Sequence, residues 1–270
     1  LKEFVEKTKI PVVTTIMGKG ALDYDNDLYI GNCGMHGRYA ANKAVVGCDV
    51  LFSIGTRFND RITGALSEFA QDAAIIHIDV DTASISRNVI VDVPIVCDAK
   101  AALEKLNEWA EPHDTEEWRK RIAAWDKENP LEMRKDLGLC PQSIMEGINE
   151  VFPEGIFVTD VGQHQMWATQ FINLNSKKQM ITSGGLGTMG FGFPAAVGAK
   201  IGARDKDVVC ITGDGGMQMN MQELATSIIE KANVTVCILN NQYLGMVKQM
   251  QQLFYGKRYK ITCLRRNIDC

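Results

Sequence analysis

"DVVCITGDGGMQMNMQ", residues 207–222, sets the fold. It begins with a short apolar run rich in β-branched residues, as strands buried on both faces tend to be. A Gly-Asp-Gly turn follows at 213–215, and then a helix-compatible stretch begins. Taken alone, Gly-Asp-Gly is a common turn. An acid at the tip of a buried strand, between glycines that let a ligand approach the backbone, also has the makings of a site.

The same strand–turn–helix unit recurs outward from this point. Helices are predicted at 142–150, 164–172, 189–202 and 217–231, with a further one after Gly245. Strands are predicted at 155–160, 179–183, 207–212 and 234–240. Before them, strands at 10–15, 49–55, 74–81 and 93–98 alternate with helices such as 37–47 and 99–110. The expected fold is α/β: two doubly wound parallel-sheet domains, a Rossmann-like one at 1–110 and a second at 141–270. The charged stretch 111–140 is expected to be a helical linker running over the surface. In such sheets, ligands sit at the carboxyl ends of the strands.

Composition narrows the function classes. The 270 residues are 46% hydrophobic and 23% charged, with a formal net charge of −4, typical of a globular protein. Neither a basic patch for nucleic acid nor an apolar run long enough for a membrane is evident, and a cytoplasmic location is expected. The eight cysteines (33, 48, 97, 140, 210, 237, 263 and 270) form no C-x-x-C or metal-like cluster. Most are expected to be buried free thiols.

The strand at 234–240 ends in Asn240-Asn241, one crossover after Asp214. Neighbouring parallel strands bring these tips together. One carboxylate, one amide oxygen and a main-chain carbonyl suit a Mg²⁺ ion completed by phosphate oxygens and water. A helix starting near Met217 would aim free N–H groups at the same phosphate.

G-D-G, 24 residues and N-N, together with "DVGQHQMW" (160–167) and "GGLGTMGFGFPAAVGA" (184–199), resembles the thiamine diphosphate-dependent enzymes, and within them the acetolactate synthase catalytic subunit. The resemblance runs over essentially the whole chain. It implies that Asp214, Asn241 and the Tyr243 carbonyl bind Mg²⁺ and that Gln163 and His164 reach the diphosphate. The backbone at Gly187 and Met189 would hold the aminopyrimidine, and the Met189 side chain would keep the cofactor bent. Gly213, Gly215, Gly216, Met219 and Met246 would complete the cofactor site, the other methionines near 219 being packing. "GMHG" (34–37) and "GTRFNDRITG" (55–64) resemble this family's FAD-binding segments. Met35, His36, Gly37, Gly55, Thr56, Arg57 and Arg61 would then contact the flavin dinucleotide, with Asp79 and Asp98 as weaker candidates. Without the resemblance the two arginines read as surface charges; with it they offer charge-assisted hydrogen bonds to a pyrophosphate.

The implied activity joins pyruvate, after decarboxylation, to a second small 2-keto acid, in a homodimer or tetramer served by a regulatory subunit. Departures from the pattern are Gly216, Asn59 and Met250. The last stands where the family has a pocket tryptophan, so second-substrate preference is left open. The activating glutamate of the family belongs to an N-terminal pyrimidine-binding domain, and no catalytic residue is expected here. The chain opens "LKEFVEKTKIPVV" and closes "KRYKITCLRRNIDC", which suggests a piece that is inactive alone. The rival readings are a pyruvate oxidase or glyoxylate carboligase, a nicotinamide dehydrogenase lacking its G-x-G-x-x-G, and a non-catalytic binding module.

Overall fold

A computed structural model describes residues 1–134, 136 and 138–264. The chain forms two compact units, Leu1–Glu132 and Met133–Cys270, and every strand pairing within the named sheets is parallel.

The first unit runs α1 (Lys2–Thr8), β1 (Val12–Thr14), β2 (Tyr29–Asn32), α2 (Tyr39–Val46), β3 (Val50–Ile54), α3 (Asp60–Thr63), β4 (Ala74–Asp79), β5 (Val93–Val96), α4 (Ala99–Trp109) and α5 (Glu116–Glu128). Its strands divide between a β1-β2 pair and a β3-β4-β5 sheet, where one continuous sheet was expected. β2 is the partner that the sequence hides. It has four residues, and its Gly31 sits at φ +126°. The stretch 111–140, expected to run over the surface, holds α5, whose Ile122 is buried against Ala40 and Ala44 of α2. Trp118 and Trp125 stack edge to face beside it, their ring centroids 5.6 Å apart.

The second unit runs α6 (Pro141–Val151), β6 (Gly155–Thr159), α7 (Gln163–Phe171), β7 (Gln179–Thr182), α8 (Gly192–Gly202), β8 (Asp207–Gly213), α9 (Asp214–Met219), α10 (Glu223–Ile229), β9 (Thr235–Leu239) and α11 (Gly245–Phe254). The strand order is β7-β6-β8-β9. Alternation along β6 and β8 sends side chains to two cores. Ile156, Val158, Val208 and Cys210 pack with Phe193, Ala196 and Val197 of α8. Phe157, Val209 and Ile211 pack with Met145 and Ile148 of α6 and Ala168 of α7. Helices therefore cover both faces, which is why the middles of the two central strands are apolar.

Two expectations need correction. The helix expected at 217–231 is two helices that begin at Asp214 and break at Asn220. Of the described cysteines only Cys140 and Cys210 are buried; Cys33, Cys48, Cys97 and Cys237 are half-buried and Cys263 is exposed, and none forms a disulfide. Cys270 lies outside the described residues. Burial still pushes Cys33 and Cys48 up to about 11 and Cys210 to about 12, so these thiols stay protonated.

Candidate active site

The strand order creates the site. From β6 the chain crosses to β7 on one side, then returns to lay β8 on the other side of β6 and continues outward to β9. Connections leaving adjacent strands in opposite directions open a crevice at their carboxyl ends, where α/β sheets bind ligands. Into it run the residues after β6 (160–164) and after β8 (214–216), with those after β9 (240–246) alongside.

A cavity of about 240 Å³ occupies this crevice. It is lined by Gln163, His164, Gly187 and Met189, by Gly213 through Gly216, and by Asn241, Tyr243 and Met246. Segments far apart in sequence thus converge on one cavity. Among the described residues, Met219 and Met250 stand outside that lining; Met219 is 48% exposed, and Met250 lies on α11. Val161, Trp167, Leu239, Leu244 and Val247 also line the cavity and went unmarked in the sequence. Trp167 had a usable signal, since it lies four residues after Gln163 on one helix face.

Asp214 is the first residue of α9 and only 3% exposed. Its Oδ2 is buried without a hydrogen-bond partner. A buried carboxylate oxygen left unpaired is costly unless something fills the gap. The neighbouring oxygens are of the right kind. Leu239, just before Asn240-Asn241, pairs with Gly213 in the β8–β9 register, which sets the two tips side by side. The Asn241 Oδ1 accepts the Tyr243 N–H at 2.9 Å, turning that segment back toward the crevice. No cluster of three or more His, Cys, Asp or Glu side chains among the described residues could hold a metal ion. Asp214 thus offers one carboxylate beside the neutral oxygens of Asn241 and the Tyr243 segment, a hard-donor set that would fit Mg²⁺ shared with a diphosphate.

Gln163 braces this arrangement. Its Oε1 accepts Asn241 Nδ2 at 3.1 Å, and its Nε2 donates to Gln249 Oε1 at 3.3 Å. The amide lies so close over Gly245 that a Cβ there would fall 2.0 Å from Oε1. The His164 ring lies against Gly162 and Gly213; a Cβ on either glycine would come within about 3 Å of it (2.7 Å and 3.0 Å). Burial pushes His164 down to about 4, against an opposing pull from Asp160. The ring is therefore neutral near pH 7, and its Nε2 has no partner.

In the first unit, Gly55 follows β3, Asp79 closes β4 and Asp98 follows β5, at one sheet edge. The "GMHG" and "RFNDRITG" segments meet: Met35 N–H donates to the Arg61 carbonyl at 2.8 Å. His36 is pushed down by burial and by the neighbouring Arg61 charge. Gly37 packs against the main chain, where a Cβ would lie 2.5 Å from the Asn32 carbonyl oxygen. Thr56 is half-buried, and Arg57 and Arg61 are exposed. Asp98 also caps α4, its Oδ1 accepting the N–H groups of Lys100 and Ala101.

The His164 shift carries a stability prediction. The unfolded chain, with an imidazole near 6.5, takes up a proton that the folded chain refuses until about pH 4. Stability complete above pH 6.5 is therefore lost as pH falls toward 4, by up to ~3 kcal/mol. Urea unfolding should show a shallower loss over this range in His164→Gln; equal losses in both proteins would remove His164 as the cause.

Comparison with known proteins identifies the family. The central domain of thiamine pyrophosphate enzymes matches residues 1–106, and their C-terminal TPP binding domain matches residues 160–269. An acetolactate synthase large subunit of Cyanidium caldarium is 45% identical over 96% of this chain and 46% of its own length. A probable acetolactate synthase large subunit of Methanocaldococcus jannaschii is 48% identical over 100% of this chain and 47% of its own length. One of Corynebacterium glutamicum is 45% identical over 98% and 44%. The chain spans about half the length of these relatives. With both domains matched in order over most of its residues, the chain belongs to the thiamine pyrophosphate enzymes.

Proposed function

We propose that this chain is the flavin- and diphosphate-binding part of an acetolactate synthase catalytic subunit. The observation that carries the reading is the buried, unpartnered Asp214 oxygen in a cavity shared with Asn241 and Tyr243. The names of its relatives support the activity. Thiamine diphosphate, when bound with Mg²⁺, supplies the electron sink for decarboxylating a 2-keto acid and joining the remainder to a second one. Asp214, Asn241 and the Tyr243 carbonyl would hold the metal on the diphosphate. Gln163 orients Asn241, and neutral His164 presents Nε2 to the same cavity. Gly187 and Met189 border the organic end. The chain's part in this reading is to bind and orient the cofactor.

FAD belongs to the first unit in this reading, at the edge formed by 34–37, 55–61, Asp79 and Asp98. The designation "large subunit" among the relatives supports assembly with a smaller regulatory partner. Among the described residues no helix is long and apolar enough to cross a membrane, and we place the protein in the cytoplasm.

Calorimetric titration should show thiamine diphosphate binding that requires Mg²⁺ and is lost in Asp214→Ala; binding indifferent to both would refute the reading. Titrated with FAD, Arg61→Ala should bind about tenfold more weakly, as expected for one charge-assisted hydrogen bond. Unchanged affinity would place the flavin elsewhere. Competition between pyruvate and 2-ketobutyrate in the polypeptide as encoded should shift toward 2-ketobutyrate in Met250→Trp. An unaltered product ratio would clear Met250 of any role in specificity.

A further inference from the structure

Asp160, the residue after β6, is 1% exposed and has no role in the reading above. Its Oδ1 accepts the main-chain N–H groups of Val161 at 2.7 Å and Gly190 at 3.1 Å, and its Oδ2 accepts that of Gly192 at 2.8 Å. Two glycines make room for it. A Cβ on Gly192 would lie 2.7 Å from the Asp160 nitrogen, and one on Gly216 would lie 2.7 Å from Oδ1. From the other side, Asn220 Nδ2 donates to the Gly190 carbonyl at 2.7 Å. Gly190 itself is at φ +84°, and a Cβ there would lie 2.8 Å from Asn220 Nδ2 and 2.9 Å from Met219 Cβ.

The Gly190 N–H belongs to the peptide that joins it to Met189. Across a trans peptide the N–H and C=O point in opposite directions, and there is no cis peptide among the described residues. Pinning that N–H on Asp160 turns the Met189 carbonyl away from Asp160. The next peptide is fixed in turn by Asn220. Both Met189 and Gly187 border the cavity. We propose that Asp160 and Asn220 are positioning residues that clamp the 187–192 loop and aim its main-chain groups at the organic end of the cofactor. This rests on the thiamine diphosphate reading and extends it. The clamp's side-chain hydrogen bonds go to Val161, Gly190 and Gly192 and none to Asp214 or Asn241, although the Asp160 carboxylate also packs on Gly216.

That division makes the clamp separable from a general support of the fold. In the polypeptide as encoded, Mg²⁺–thiamine diphosphate and Mg²⁺–pyrophosphate are titrated separately, and the near-ultraviolet circular dichroism of the bound cofactor is recorded. Asp160→Asn keeps the shape but turns an N–H₂ group toward one of the donors. It should weaken thiamine diphosphate roughly tenfold and change the dichroic band, with pyrophosphate affinity unaltered. Asn220→Ala, at a half-buried position, should do the same and carries the test if Asp160→Asn fails to fold. Asp214→Ala should weaken both ligands. Wild-type affinity for thiamine diphosphate in the clamp variants, or equal weakening of both ligands, overturns the clamp alone. A wild-type protein that binds neither ligand overturns the cofactor reading and the clamp with it.

Discussion

The parallel pairing of β6 with β8 is the constraint on which the second unit depends. The two strands run in register from Gly155 opposite Asp207 to Thr159 opposite Ile211. Phe157, Val158, Val209 and Ile211 are fully buried there, and burying a large apolar side chain contributes roughly 1.5–3 kcal/mol. That register puts Asp160 and Asp214 at neighbouring strand ends. Because the chain leaves the two strands in opposite directions, nothing from the sheet itself fills the gap between them. A one-residue slip would exchange the two cores and carry both acids out of place.

The crevice is narrow because backbone has been allowed into it. His164 packs directly on Gly162 and Gly213, Asp160 on Gly192 and Gly216, and the Gln163 amide on Gly245. Each glycine is set by what lies on it. The Gly-Asp-Gly turn of the opening stretch is therefore a packing solution and a site at once. Gly216 admits the Asp160 carboxylate, while Asp214 between its two glycines lines the cavity with its Oδ2 left unpaired.

Much of this was legible in the sequence, for physical reasons. Strands buried on both faces, such as "GIFVT" and "DVVCITG", announce themselves as apolar runs between glycines. The carboxyl-end rule then places Asp214 and Asn241 together without a structure. What the sequence hid were features fixed by tertiary contacts. β2 is short and contains a positive-φ glycine. The break at Asn220 interrupts a run with helical periodicity because its side chain is engaged with Gly190. Asp160 opens the "DVGQHQMW" stretch, yet its partners Gly190 and Gly192 lie 30 and 32 residues away in sequence. The packing of α5 rests on Ile122 and two tryptophans, which a charge-rich stretch obscures.

Both units place loops at the carboxyl ends of parallel strands. In the first, these loops carry Asp79, the α4 cap Asp98 and the exposed Arg57 and Arg61. In the second, they carry a buried carboxylate, a neutral imidazole and amide oxygens. The most direct test of the second is to replace Mg²⁺ with Mn²⁺ and record its electron paramagnetic resonance, using thiamine diphosphate labelled with oxygen-17 in the diphosphate. If Asp214 holds a metal on that group, Mn²⁺ binds tightly only when the cofactor is present, and the label broadens its signal. Mn²⁺ binding equally well without cofactor, or a signal indifferent to the label, would contradict a metal-bridged diphosphate in this crevice.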